Sequence, residues 1–257
     1  MTSFSGAISA SFDETDWTLI GALADSNAEF AEAAMARLLR DYWTPIFAYI
    51  RRSGYSRDNA LDLTQEFIAT VILGRGLFRH ANRERGRFRA LIKTSIRNFL
   101  TEQHRHDSAR KRFPVTRLYS LSTGLGMEEP ADFHTPEAAF DYQLATTAIQ
   151  RALTRTREYC LSAGMSVHAM LLEDRYIKPL ISGDDPPEYE ELAEKYELRD
   201  ARQASNLVAV ARNRFRRELR TEVARWVQNE EQVDDELQRL VRAVSNKQRG
   251  PKGNIND

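Results

Sequence analysis

Apolar residues recur at helical spacing along most of the chain and almost nowhere alternate as in a strand. Trp17, Leu19, Ile20 and Leu23 follow Asp16, and Phe30, Ala34, Met35, Leu38, Leu39, Tyr42 and Trp43 follow Asp25-Ser26, which predicts amphipathic helices over both stretches. Pro45 falls in a pattern that continues through Ile46, Phe47 and Ile50, so a kink or a restart is expected there. Ser53-Gly54-Tyr55-Ser56 closes the segment, with Ser56 placed to cap the next helix. That helix, DNALDLTQEFIATVI, carries Leu61, Leu63, Phe67, Ile68, Val71 and Ile72 on an apolar face. Asp62, Gln65 and Glu66 stand at i, i+3 and i+4 and form one compact acidic, hydrogen-bonding patch.

Gly74-Arg75-Gly76 ends this helix, and the basic loop NRERGRFRA leads into a long amphipathic helix from about Phe88 to Lys111. From Phe113 to Thr135 the pattern lapses into Pro, Ser, Thr and Gly, the composition of a tether. Helical spacing returns near Pro136, runs through Phe140, Leu144, Ile149 and Leu153, then Met170, Leu171, Tyr176 and Ile177, and breaks at Gly183-Asp184-Asp185-Pro186-Pro187. A short acidic helix bearing Leu192, Ala193 and Tyr196 then meets a long basic one bearing Leu207, Val208, Ala211, Phe215 and Leu219. Asp200 and Gln203 match a capping box at the start of the second. EEQVDDELQRLVRAV predicts one more short helix before the tail NKQRGPKGNIND, expected to be disordered. The fold class is therefore all-α: a helical domain at 14–112, a flexible linker at 113–135, a helix-turn-helix domain at 136–227, and an extension at 228–257.

With 42% hydrophobic and 29% charged residues the chain has an ordinary globular composition, and each half is near the lower end of comfortable core size. A formal net charge of zero conceals segregation of sign. Between Arg75 and Arg117 the acids are only Glu84, Glu102 and Asp107, whereas Asp184 to Glu197 is acidic and Arg199 to Arg225 basic again. The lone Cys160 excludes an intramolecular disulfide and fits a reducing cytoplasm. No leader or bilayer-spanning apolar run is evident, so no membrane association is expected.

Catalytic patterns are poor. His80, His104, His106, His134 and His168 show no metal-ligand spacing, and no Walker A loop, Rossmann fingerprint or nucleophile elbow appears. Neither enzymatic activity nor a metal or cofactor is expected. The basic helix is more informative: Arg85, Arg87, Phe88, Arg89, Lys93, Arg97, Asn98, Gln103, Arg105, Arg110 and Lys111 combine phosphate-neutralising charge with amides that can read base edges and a ring that can stack. Its plainer reading is a solvated helix face. The second stripe, Arg202, Gln203, Ser205, Asn206, Arg212 and Asn213, follows the turn of the helix pair, where a helix-turn-helix reaches the major groove. Two basic modules on one tether point to DNA.

The strings RLLRDYWTPIFAYIRRSGY, ALDLTQEFIATVI, RGRFRALIKTSIRNFL, PEYEELAEKY and ARNRFRRELRTEVARWV, in that order over about Trp17 to Val227, resemble the bacterial RNA polymerase sigma factors of the extracytoplasmic-function type, especially the variety common in Planctomycetes. DLTQEF is the most specific string. The resemblance implies a first domain that binds the polymerase clamp and the melted minus-ten element. It implies a second, a helix-turn-helix, that binds the minus-thirty-five element and the β flap. Asp62, Gln65 and Glu66 match the surface that docks on the clamp helices of the β′ subunit. Phe88 to Arg105 matches the promoter-opening segment, with Asn98 at its characteristic asparagine and Arg105 at a characteristic basic position. Glu102 stands where an aspartate is usual and Leu91 where many members have tryptophan. The helix-turn-helix lacks the usual turn glycine, and ELRDARQ carries one residue more than the common LGxSxxT pattern.

The expectation is an alternative sigma factor that directs core RNA polymerase to promoter DNA. Its competitor is a sigma-like adaptor that binds polymerase or DNA without promoter-specific initiation; a helical nucleic-acid-processing enzyme ranks below both. Control by an anti-sigma factor, a regulatory kinase or the segment after Val227 is compatible with either of the first two expectations.

Overall fold

Helix α1, Ala28–Arg52, presents Leu38, Tyr42, Ile46, Tyr49 and Ile50 to the interior, and burial of that face organises the fold. The computed structural model describes residues 28–74, 77, 88–109, 133–227 and 231–248, and none of these is in a strand. The expected helix from Asp16 to Leu23, the cations Arg85, Arg87, Arg110 and Lys111, most of the expected tether and the end of the tail lie outside them. Pro45 does not interrupt α1. Its ring removes only the N–H that would bond the carbonyl of Asp41, and the apolar face on both sides of it stays buried.

Helix α2, Arg57–Phe67, opens as expected: the Ser56 hydroxyl accepts the Asn59 N–H at 3.3 Å. It passes into a π-helical stretch, Ile68–Gly74. Thr64 and Thr70 donate their hydroxyls to the carbonyls of Ala60 and Glu66, both at 2.7 Å, back-bonds that compete with the regular ladder around this transition. Helix α3, Phe88–Ala109, buries Phe88, Ile92, Ile96, Phe99 and Leu100. Helix α4, Pro136–Ser162, begins with Thr135 accepting the Ala138 N–H at 3.1 Å and with proline at its first position. Then follow α5, Ser166–Leu172, a π-helical turn, Glu173–Ile177, and α6, Lys178–Ser182, which ends on Gly183 at φ 85°. Helices α7, Tyr189–Lys195, and α8, Ala201–Ala224, form the acidic and basic pair. The last helix, α9, spans Glu231–Gln248. It is longer than the short helix expected and takes in residues 246–248, assigned to the tail from composition.

Helix α1 lies along α4, α4 packs on α8, and α9 lies against both α4 and α8. Buried residues from Leu38 to Val244 form one cluster, drawing on segments before and after the expected linker. Tyr42 is its hinge-pin, edge-on to Phe88 at 5.3 Å and stacked near Phe140 at 6.5 Å. A smaller cluster, Leu171, Leu192, Ala193, Ala204 and Val208, joins α5, α7 and α8.

Polar ties reinforce the packing of α1 and α3 on the later helices. Tyr49 donates its hydroxyl to Glu137 at 2.9 Å, and burial together with that bond pushes the phenol up to about 12. Asp41, 2% exposed, accepts from Arg151 and, at 3.2 Å, from Arg225. Arg225 also donates to the fully buried Glu222 at 2.9 Å, and Arg155 lies 3.1 Å from the same carboxylate. One charged network therefore joins α1, α4 and the end of α8.

The turn between α7 and α8 lacks glycine, and Glu197 takes the left-handed conformation, φ 52°, in its place. A Cβ is disfavoured there. Glu197→Gly should therefore raise stability by about 0.5–1 kcal/mol in urea denaturation, and a loss of stability would mean that the Glu197 side chain holds the turn.

Asp174, 6% exposed, anchors the π-helical turn to α6 and α7 by accepting from Lys178 at 2.5 Å, Lys195 at 2.6 Å and the Tyr196 hydroxyl at 2.7 Å. Burial pushes this carboxyl up, but the three hydrogen bonds outweigh it and bring it to about 2 from 3.8. A depressed folded-state value stabilises the fold above the unfolded value, and that contribution is lost as pH falls from about 4 through about 2. Both lysines are more than half exposed, so screening limits the effect to on the order of 1–2 kcal/mol. Melting curves from pH 5 to pH 2 should show the wild type losing that much more than Asp174→Asn; parallel losses would contradict the assignment.

Candidate nucleic-acid interface

The polar patch of α2 and the basic helix α3 are joined. Asp62 and Glu66 are exposed and Gln65 half-buried, on the side of α2 opposite buried Ala60, Thr64 and Phe67. The Gln103 amide donates to Glu66 Oε1 at 2.6 Å, tying the third turn of α2 to the last part of α3. His104, one residue on, faces the ring of Tyr55 at 5.8 Å between centroids. An acidic surface and a cationic one thus share an edge, which spacing along the chain did not reveal.

Along α3 the expected nucleic-acid residues divide into two sets. Arg97, Asn98 and Arg105 are exposed, with Thr94 and Thr101 on the same stripe. The other described ones are buried or engaged with neighbouring side chains. Phe88 is completely buried, so its ring is packed against Tyr42 and is not presented to a base. Arg89 pairs at 2.5 Å with Glu236 of α9, which is 1% exposed. Lys93 bonds both oxygens of Asp141 in α4 at 3.0 Å and lies 5.7 Å from the centroid of Phe140. Gln103 is engaged with Glu66 as described. Helical periodicity explains the division: positions 88, 92 and 96 face the core, 89 and 93 flank them, and 97, 98, 101 and 105 point away.

Helix α8 shows a similar division. Asp200 accepts the Gln203 N–H at 2.7 Å, as the capping box requires, and the Gln203 side-chain oxygen accepts the N–H of Arg199 at 2.8 Å. That amide is spent on the cap. Ser205 hydrogen-bonds Tyr189. Arg212 leans back onto Tyr176, donating to its hydroxyl at 3.3 Å with the guanidinium 5.9 Å from the ring centroid. The Tyr176 and Tyr189 hydroxyls meet at 3.4 Å under Arg175, which lies over both rings. Arg202, Asn206 and Asn213 remain exposed, with Arg216 and Arg217 beyond them.

Sequence reasoning missed the Asp41–Arg151–Arg155–Glu222–Arg225 network and the Arg89–Glu236 pair. A signal existed for the first: Asp41 falls between Leu38 and Tyr42, and Glu222 between Leu219 and Val223, so both carboxylates sit on core-facing helical positions. Nothing local marks Arg89 and Glu236 as partners. Cys160 is buried, and burial pushes its thiol up. Among the described residues no helix is long and apolar enough to cross a membrane. No protein-family model, curated protein or solved structure matches the chain at a significant level.

Proposed function

We propose that the chain is an alternative sigma factor of the extracytoplasmic-function type, a subunit that gives core RNA polymerase its promoter specificity and performs no bond chemistry itself. The observation that carries this reading is the shared edge between the exposed Asp62–Glu66 patch and the exposed Arg97–Asn98–Arg105 stripe. A polymerase clamp helix with basic groups docks on the first, and the unpaired promoter strand passes along the second. Residues 14–112 and 136–227 act as the two modules, with 113–135 as the linker. Helices α7 and α8 serve as the helix-turn-helix, holding upstream duplex through Arg202, Asn206 and Asn213. Phosphate contacts supply most of the affinity, so each lost arginine contact lowers the salt dependence of binding by about one unit in slope.

The test is capture of core polymerase by the tagged chain, followed by run-off transcription from a genomic fragment library. Asp62→Lys with Glu66→Lys should abolish capture while the chain stays folded, the lost Gln103–Glu66 bond lowering the melting temperature by no more than about 4 °C. Capture at wild-type yield would refute the docking surface. A second reading, a sigma-like adaptor that binds polymerase without starting transcription, is favoured by the internal engagement of Arg89, Lys93, Gln203 and Arg212. Capture without discrete start sites would select it.

A further inference from the structure

Helices α3 and α9 and the first turn of α4 enclose a recess of about 390 Å³, within the range of small-molecule sites. Among the described residues Arg89, Lys93, Arg239 and Arg242 line it, against a single lining carboxylate, Asp141. Phe133 and Leu240, 5% and 3% exposed, give it an apolar wall. Two of the four cations are already balanced: Lys93 by Asp141 at 3.0 Å, and Arg89 by Glu236 at 2.5 Å just behind the wall. Arg239 and Arg242 are exposed and one turn apart on α9, and neither forms an ion pair among the described residues. Two positive charges with no ion partner among the described residues thus border a concave site that pairs a charged side, Arg89, Lys93 and Asp141, with an apolar one.

We propose that this recess binds a small phosphate monoester of nucleotide size. The phosphate, a dianion near neutral pH, matches Arg239 and Arg242, which have no ion partner among the described residues and whose planar guanidiniums suit its oxygens. The nucleoside packs against the Phe133–Leu240 wall. A nucleic-acid backbone fits less well, because its diester phosphates carry one charge each and follow a track, and the exposed track on α3 is the Arg97–Arg105 stripe. Because the recess is built from α3, α4 and α9 together, an occupied site would fasten α9 to α3 by mass action. The binding inference does not depend on the sigma-factor reading; it concerns the isolated chain.

The test is calorimetric titration of the full chain, without polymerase or promoter, with AMP, GMP and inorganic pyrophosphate. One saturable site for at least one nucleoside monophosphate is expected, with pyrophosphate at least fivefold weaker for lack of a body to meet the wall. Arg239→Gln with Arg242→Gln should weaken nucleotide binding at least tenfold and leave the unliganded melting temperature unchanged. Absence of saturable binding by either nucleotide, or unaltered affinity in the double variant, would overturn the proposal. A double variant that keeps nucleotide affinity and loses binding to a single-stranded oligonucleotide would reassign these arginines to nucleic acid and overturn it equally.

Discussion

Replacing Arg225 with methionine should destabilise the chain by about 3–5 kcal/mol, because it strands two buried carboxylates. Asp41 is 2% exposed and Glu222 fully buried, and Arg225 reaches both, at 3.2 and 2.9 Å. Both acids border a cleft of about 390 Å³ yet are closed off from solvent in the folded chain, so the cost is the part of their desolvation that Arg151 and Arg155 leave uncompensated. Arg151 and Arg155 moderate this, since each touches one of the acids, but their side chains are 26% and 34% exposed and share their charge with solvent. The same logic predicts a rescue. Asp41→Leu, Glu222→Leu and Arg225→Met combined should recover most of the loss, because the arginines left behind can hydrate whereas the carboxylates could not. Urea denaturation curves with unchanged slope would measure both steps. A loss below about 1 kcal/mol for Arg225→Met would mean that water reaches Asp41 and Glu222.

Phe88→Ala should cost a similar amount, about 3–5 kcal/mol, as a large side chain removed from a packed interior. The ring is fully buried and edge-on to Tyr42 at 5.3 Å, which in turn stacks near Phe140 of α4. A cavity at this point would loosen α1, α3 and α4 together. The functional consequence separates two roles for the residue. Phe88→Leu retains an apolar group and should cost only about 1–1.5 kcal/mol, with unaltered affinity for a single-stranded oligonucleotide. A folded Phe88→Leu protein that binds tenfold more weakly would show that the ring leaves the core to stack on a base.

Phe88 also illustrates what could be read from the residues alone. Its position at the start of a helix rich in arginine made it a candidate for stacking, yet the same residue is the first of the 88–92–96 series whose period assigns it to the core. Periodicity was the stronger signal. It found the helices, the Ser56 and Asp200 caps and the inward faces of α7 and α8, because these depend on residues within one turn of each other. Charged side chains were harder to place. Arginine has reach enough to fold back on a neighbour, and its choice between solvent and a partner is set by tertiary contacts such as Glu236 for Arg89 or Tyr176 for Arg212. Among the described residues, four of the seven side chains read as outward on α3 and three of the six on α8 are engaged with neighbours, some one turn away and some across the fold. Pro45 does not start a new helix, because the lost backbone bond is small beside the burial of Tyr42, Ile46, Tyr49 and Ile50 around it.

Asp41 and Arg225 are 184 residues apart, and that separation has a consequence during synthesis. At roughly 5–20 residues per second a ribosome needs about 10–40 s to deliver the arginine after the aspartate. Until α4 emerges, α1 lacks both Arg151 and the surface that covers much of its apolar face, and until the end of α8 emerges Asp41 still lacks Arg225. Nascent chains stalled before α4 should accordingly be cleaved by proteases within α1 and held by chaperones, should lose most of both susceptibilities once α4 clears the exit tunnel, and should lose the remainder once Arg225 does.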